Sequence, residues 1–210
     1  EQGDVYGCTD QEATNYGYNC DGDFVGEPTT DDGCCTYPDN GDYSLSFDGE
    51  EDYVDFGDIL QMNGSFSVGG WIYNIGSDYQ TIMSKRAHLN QATYFGWHLS
   101  YEDNGTMGLY IQENVSGGLS ASATTNQIYN ELFHFVAVFD ASTSVRLYVN
   151  GENVAESPTN LSYLSDNDAP FLISSLQEGG DWSWNGYLDD IFIFDDALTN
   201  DEVYNIYNEG

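Results

Sequence analysis

The chain has 210 residues, 40% of them hydrophobic and 15% aromatic, room for one sandwich-sized domain and something small beside it. Its 36 Asp and Glu stand against Lys85, Arg86 and Arg146 alone, a formal net charge of -33. That balance excludes nucleic acid and anionic lipid as partners, because both need clustered cations.

High charge with few apolar residues would mean disorder, but here the aromatic content and alternating Val, Ile and Leu supply a core. The acidic surface reads as a solubilising coat for a medium whose ions screen it. There is no apolar run of about 18 residues, so no membrane insertion is expected. The sequence opens at Glu1 without Met or a signal-peptide core, which reads as a processed chain or an excised piece.

Residues 1–40 are rich in Asp, Gly, Thr, Asn and Tyr and keep no period of strand or helix. All four cysteines, Cys8, Cys20, Cys34 and Cys35, fall here, where apolar side chains are few, and read as disulfide staples of a small cap. Zinc is disfavoured by the lack of paired C-x-x-C spacing and of any His before His88. Bridging the adjacent Cys34 and Cys35 would close a strained ring, which leaves two pairings open. Cys8 with Cys35 and Cys20 with Cys34 is the preferred one. The acidic turns Asp21-Gly22-Asp23 and Asp31-Asp32-Gly33 offer ligands for a second calcium but do not match an EF-hand loop, and solvated turn carboxylates are the preferred reading.

Gly7-Cys8-Thr9-Asp10, Ala13, Asn15-Tyr16, Asp31-Asp32-Gly33 and Cys35-x-Tyr37 resemble a Cys-rich repeat of marine bacterial surface proteins and some phage virion proteins. The chain departs from that repeat at Cys34, where Ser is usual, and by adding Cys20. The resemblance implies a surface or virion setting.

Pro38-Asp39-Asn40-Gly41-Asp42 is a turn-forming cluster, and the domain boundary is placed there: a cap over 1–40 and a second domain over 41–210. Alternation begins at Tyr43 to Phe47. It returns in Asp52 to Phe56, Phe66 to Tyr73, Thr81 to Ser84, Tyr94 to Tyr101, Gly108 to Gln112, Leu132 to Phe139, Val145 to Val149, Pro170 to Ser174 and Gly186 to Phe194. Many short strands with polar turns predict an all-β antiparallel sandwich. Asn150-Gly151 between Ser144 to Val149 and Asn153 to Ala155 predicts a tight hairpin. Thr199-x-x-Glu202 is a capping box, and Val203, Ile206 and Tyr207 keep helical spacing, so a short C-terminal helix of one or two turns is expected.

Leu45 to Gly49 with Asp52-Tyr53-Val54, Phe66 to Ile72, Phe135 to Val138 leading to Leu147 to Gly151, and Asn185 to Phe194 followed by Ala197-Leu198 arrive in an order that resembles the laminin-G-like, pentraxin-related domains. The resemblance implies a concanavalin A-like jelly roll of two sheets.

Asp189 is in phase with Ile191 and Ile193, and Asp190 with Phe192 and Phe194, so one carboxylate of this strand is expected to face inward. Three cations leave few partners for it, and Ca2+ is the economical remedy. The resemblance points the same way: it implies a calcium joining the first and last core strands through Asp48, Gly49 and Asp189. The loop Gly179 to Asn185 sets two indoles beside Asp and Asn, a mix that stacks on sugar faces and hydrogen-bonds hydroxyls. Asp181, Trp182 and Asn185 are the candidate ligand residues, with Trp184 expected in the core.

Catalysis finds no support. The E-x-D-x-x-E run of the superfamily's glycoside hydrolases is absent, and His88, His98 and His134 sit beside no nucleophile turn. The expected function is a non-catalytic extracellular module, calcium-stabilised, that binds glycan or protein in adhesion. The alternative is a structural or decoration subunit of a filament, surface layer or phage virion that assembles through the N-terminal cap.

Overall fold

The computed structural model describes residues 3–11, 13–36, 44–90, 93–102, 105–114, 121–126, 131–165, 167–177 and 182–209. They fall into two compact units, Glu1–Tyr43 and Ser44–Gly210. The turn cluster Pro38 to Asp42, where the sequence placed the boundary, and Tyr37 of the Cys-rich motif lie outside the described residues.

The first unit has little regular structure: β1 (Tyr6–Gly7) pairs in parallel with β2 (Thr30–Asp31). Disulfides join Cys8 to Cys35 and Cys20 to Cys34. Its acidic turns are held by short polar side chains that accept backbone N–H groups. Asn19 Oδ1 takes those of Asp21 and Asp23, Asp31 Oδ1 that of Gly33, and Asp32 those of Cys20 and Cys34.

The second unit is a sandwich of two six-stranded antiparallel sheets. Sheet one runs in the order β12 (Glu152–Pro158), β11 (Ser144–Val149), β10 (Leu132–Asp140), β5 (Phe66–Asn74), β14 (Asn185–Phe194), β3 (Leu45–Asp48). Sheet two runs β4 (Val54–Asp55), β13 (Phe171–Ile173), β6 (Gln80–Asn90), β7 (Thr93–Tyr101), β8 (Thr106–Asn114), β9 (Ala121–Asn126). The arrangement is that of a concanavalin A-like jelly roll. Alternation decides which side chains meet between the sheets. Phe66, Val68 and Ile72 of β5 and Phe133, Phe135, Ala137 and Phe139 of β10 meet Trp97, Leu99 and Tyr101 of β7 and Leu109 and Ile111 of β8, all essentially inaccessible.

The expected hairpin forms as Val149 pairs with Glu152 around Asn150 and Gly151, both at positive φ, the backbone a tight hairpin turn requires. The helix α1 (Asn200–Glu209) is longer than one or two turns. Its capping box closes as read: the Thr199 N–H donates to Glu202 Oε2 and the Glu202 N–H to Thr199 Oγ1. Val203 buries against Val136, Val138 and Tyr148 on the outer face of sheet one.

All three cations are used inside the sandwich. Lys85, only 2% exposed, donates from Nζ to Asp58 Oδ1 at 2.6 Å and to the carbonyls of Ala169 and Asn167 at 2.5 and 3.3 Å. Arg146 reaches Asp140 and the Tyr148 hydroxyl, and Arg86 Nε donates to Gln112 Oε1. Two carbonyls and a carboxylate around an ammonium is the donor set a bound metal cation would use, and here a lysine supplies the charge.

Candidate functional site

Three segments meet at one end of the sandwich: the turn after β3 (48–51), the connection from β5 to β6 (75–79) and the approach to β14 (182–185). They line a cleft of about 730 Å³. Register brings the first and third together, since Asp48 pairs with Asn185. Gly49, at φ 86, lies so close to Asn185 that a Cβ would stand 3.1 Å from the Asn185 Cβ. Hydrogen bonds lock the other two. Gln80 Oε1 accepts the Asn185 N–H at 2.7 Å, the Asn185 carbonyl accepts the Ile75 N–H at 2.9 Å, and the Trp182 carbonyl accepts the Thr81 N–H at 2.7 Å.

The cleft has an aromatic wall and an acidic rim. Trp182 is 50% exposed and stands edge-on to Tyr79, ring centroids 5.9 Å apart. Its φ of 56 is a left-handed backbone that a bulky residue adopts only when its surroundings impose it, at roughly 1–3 kcal/mol. Burial raises the Tyr79 phenol above its ordinary range, so it is a neutral hydroxyl at physiological pH. Asp48, Glu50, Glu51 and Asp78 supply carboxylates, and Asn185 an amide. Trp184, two residues on, is fully buried and belongs to the core.

The cleft therefore gathers Asp48 and Gly49, candidates for metal, with Trp182 and Asn185, candidates for ligand. Asp181, the remaining ligand candidate, lies outside the described residues. Tyr79 and Asp78 were missed in the sequence, because their link to Trp182 is made only by pairing β6 with the chain before β14.

The register does not bring Asp189 beside Asp48, its expected partner in holding calcium. Asn185 pairs with Asp48 and Leu188 with Leu45, so Asp189 lies four residues along β14, about 13 Å from Asp48's partner at a strand's rise. Nor is a carboxylate forced inward. A bulge between Asp189 and Phe192, with Asp190 at φ 45, shifts the phase of β14. Asp189 then faces outward beside Trp71, Asp190 is exposed, and Ile191 and Ile193 pack on the core. Gly70 of β5 permits the close approach, since a Cβ there would lie 2.7 Å from the Asp189 carbonyl. Asp48 and Gly49 thus lie at the cleft and Asp189 farther along β14. Among the described residues one group of three His, Cys, Asp or Glu ligand atoms converges, Cys20, Asp32 and Cys34, and its sulfurs are committed to a disulfide.

Two of the three histidines, His98 and His134, are buried and held neutral. His98 is 6% exposed, stacked on Tyr110 at 5.1 Å, and burial with the Arg86 charge lowers its pKa to about 3. His134 is 2% exposed and burial lowers it to about 4. The side chain of His88 lies outside the described residues.

Comparison with known proteins fixes the family. The profile of the concanavalin A-like lectin/glucanases superfamily, in its laminin-G form, matches residues 48–204. The chain belongs to that superfamily. Its sandwich is similar to the CBM40 module of the Ruminococcus gnavus IT-sialidase bound to α2,3 sialyllactose, at TM-score 0.66 and 12% identity over 80% of this chain and 100% of that one. It is also similar to the receptor-binding domain of botulinum neurotoxin C/D mosaic serotype, at TM-score 0.53 and 17% identity. A third likeness is the binding domain of botulinum neurotoxin DC in complex with rat synaptotagmin II, at 0.54 and 15%. Each toxin match covers 71% of this chain and little more than a third, 37% and 36%, of the toxin domain. No curated protein matches the sequence. No described helix is long and apolar enough to cross a membrane.

Proposed function

We propose that the sandwich is a non-catalytic extracellular module that binds glycan in the cleft beneath Trp182. One observation carries the reading: a half-exposed indole, held on a strained backbone and set edge-on to Tyr79, lines one cleft with Asn185 and four carboxylates. Aromatic faces stack on the apolar faces of sugar rings, and carboxylates and amides accept from hydroxyls. The sialyllactose of the R. gnavus module and the synaptotagmin of the toxin complex support a glycan or protein ligand for this fold.

The rim narrows the class of sugar. Asp48, Glu50, Glu51 and Asp78 repel an acidic sugar, so the ligand is a neutral or amino sugar. Calcium enters the proposal at this rim, where a divalent ion would relieve repulsion among carboxylates, and not through Asp189. An extracellular setting is supported by the two disulfides, which persist in oxidising compartments.

A glycan array probed with the full chain, with and without Ca2+, tests the reading. It should return neutral or amino sugars whose binding falls at least tenfold in Trp182→Ala, the loss of about 1.4 kcal/mol of stacking. An intact response in that variant removes the cleft. The second reading, a structural subunit that assembles through its N-terminal unit, draws on Phe24 and Tyr6, 69% and 57% exposed. It is favoured if the array is blank and sedimentation shows self-association that Phe24→Ser abolishes.

A further inference from the structure

The outer face of sheet one carries a second, differently built pocket, away from the glycan cleft. Three adjacent strands set two rows of side chains side by side: Tyr187, Tyr73 and Leu132 in one, Asp189, Trp71 and His134 in the next. Facing pairs like these touch directly across an antiparallel sheet. The Tyr73 and Tyr187 rings are 6.1 Å apart at 53°, and Trp71 is walled by His134 at 5.3 Å and by Tyr207 of α1 at 5.9 Å. The hollow holds about 300 Å³ and is lined by Ser44, Trp71, Tyr73, Leu132, Tyr187 and Asp189. Tyr187 is 43% and Leu132 56% exposed, although both are large and apolar.

Three aromatic rings with one carboxylate make a box for a cation with an apolar stem. The π faces attract positive charge, and among the described residues Asp189 Oδ2 has no partner while Oδ1 accepts the Asp190 N–H. A sugar is a poorer occupant, because the lining offers hydroxyls and one carboxylate but no amide or basic donor. The charge of the whole chain points the same way. It carries -33, and Lys85, Arg86 and Arg146 are all bonded within the sandwich, so its field draws cationic partners.

We propose that this pocket docks a basic protein segment by taking an arginine or lysine side chain between Tyr73, Tyr187 and Trp71, with Asp189 pairing the charge.

The test is titration calorimetry of the full chain at physiological salt against a short Gly/Ser peptide bearing one Arg, its Gln counterpart, and tetramethylammonium chloride. The Arg peptide should bind and the Gln peptide should not. Affinity should fall about three- to fivefold in Tyr187→Ala and again in Asp189→Asn, which keeps the Oδ1 acceptor, while Trp182→Ala leaves it unchanged. Equal binding of the Arg peptide to wild type, Tyr187→Ala and Asp189→Asn would reduce the effect to long-range charge and overturn the proposal. Saturable binding of tetramethylammonium without the peptide, or of a neutral sugar that Tyr187→Ala abolishes, would overturn the protein partner. Because Trp182→Ala is scored separately, failure here is distinguishable from failure of the glycan cleft.

Discussion

The two units of this chain reach order by opposite means. In Glu1–Tyr43 the buried hydrophobic residues, among those described, are Cys8 and Ala13, while Phe24 and Tyr6 lie largely in water. In Ser44–Gly210 two tryptophans and a row of phenylalanines are withdrawn from solvent between two sheets. A segment too short to bury a core must restrict its unfolded state by cross-links or fix its turns with polar side chains. The first unit does both; the second also fixes turns with side chains such as Asp48, Asp55 and Asn74, but it has a core and no cysteine to cross-link.

Reduction of the disulfides separates the two means most sharply. Each bridge in so small a unit is worth about 2–5 kcal/mol, so thiol treatment should abolish amide protection at Cys8, Thr14 and Cys34 while the sandwich keeps its melting temperature. A comparable fall in the sandwich would break the contrast. From the other side, Phe135→Ala should cost the sandwich about 3–5 kcal/mol by chemical denaturation and leave protection at Cys8 and Cys34 intact.

Next in size is Lys85→Met, which keeps the apolar stem but strips a donor from the carbonyls of Asn167 and Ala169. A loss of about 2 kcal/mol is expected, nearly all from those carbonyls, since the Asp58 side chain is 43% exposed and its ion pair is screened. A smaller effect comes with pH. His98 and His134 are held neutral at about 3 and about 4, against an ordinary 6.5. The unfolded chain therefore takes up protons below about 6.5 that the folded chain refuses until near 4, and this stability, full above 6.5, is lost as pH falls through that window. Carboxylate protonation relieves repulsion and acts oppositely below about pH 5, so the readout is a difference. Wild type should lose stability relative to His98→Gln by up to about 1.4 kcal/mol per pH unit, followed by urea midpoints. Parallel curves would place His98 in water.

The architecture was legible because period-two alternation, the Asn150-Gly151 turn and the Thr199 capping box are local signals. The missed strand β9 reads Ala-Ser-Ala-Thr-Thr-Asn, too poor in large apolar residues to show a face, and it is ordered by pairing with β8. The inward carboxylate failed for a different reason. A bulge at Asp189 and Asp190 resets the phase, and two acidic residues give no hint of it; the glycines of β5 across the ladder were the available clue. Half of the cleft was legible in Trp182 and Asn185. The other half, Tyr79 and Asp78, comes from a loop a hundred residues away in sequence, and topology alone brings it near. The role of Lys85 was not legible either: its partners, the carbonyls of Asn167 and Ala169, lie more than 80 residues away in sequence and meet it only in the fold.

The central claim, a glycan taken beneath Trp182, is tested most directly by mapping amide shifts of the full chain against the best array ligand by NMR. The account predicts shifts concentrated at Gly49, Gly76 to Gln80 and Trp182 to Asn185, lost in Trp182→Ala. Shifts centred instead on Arg86, His98 and Tyr110 of sheet two, and unaffected by that substitution, would contradict it.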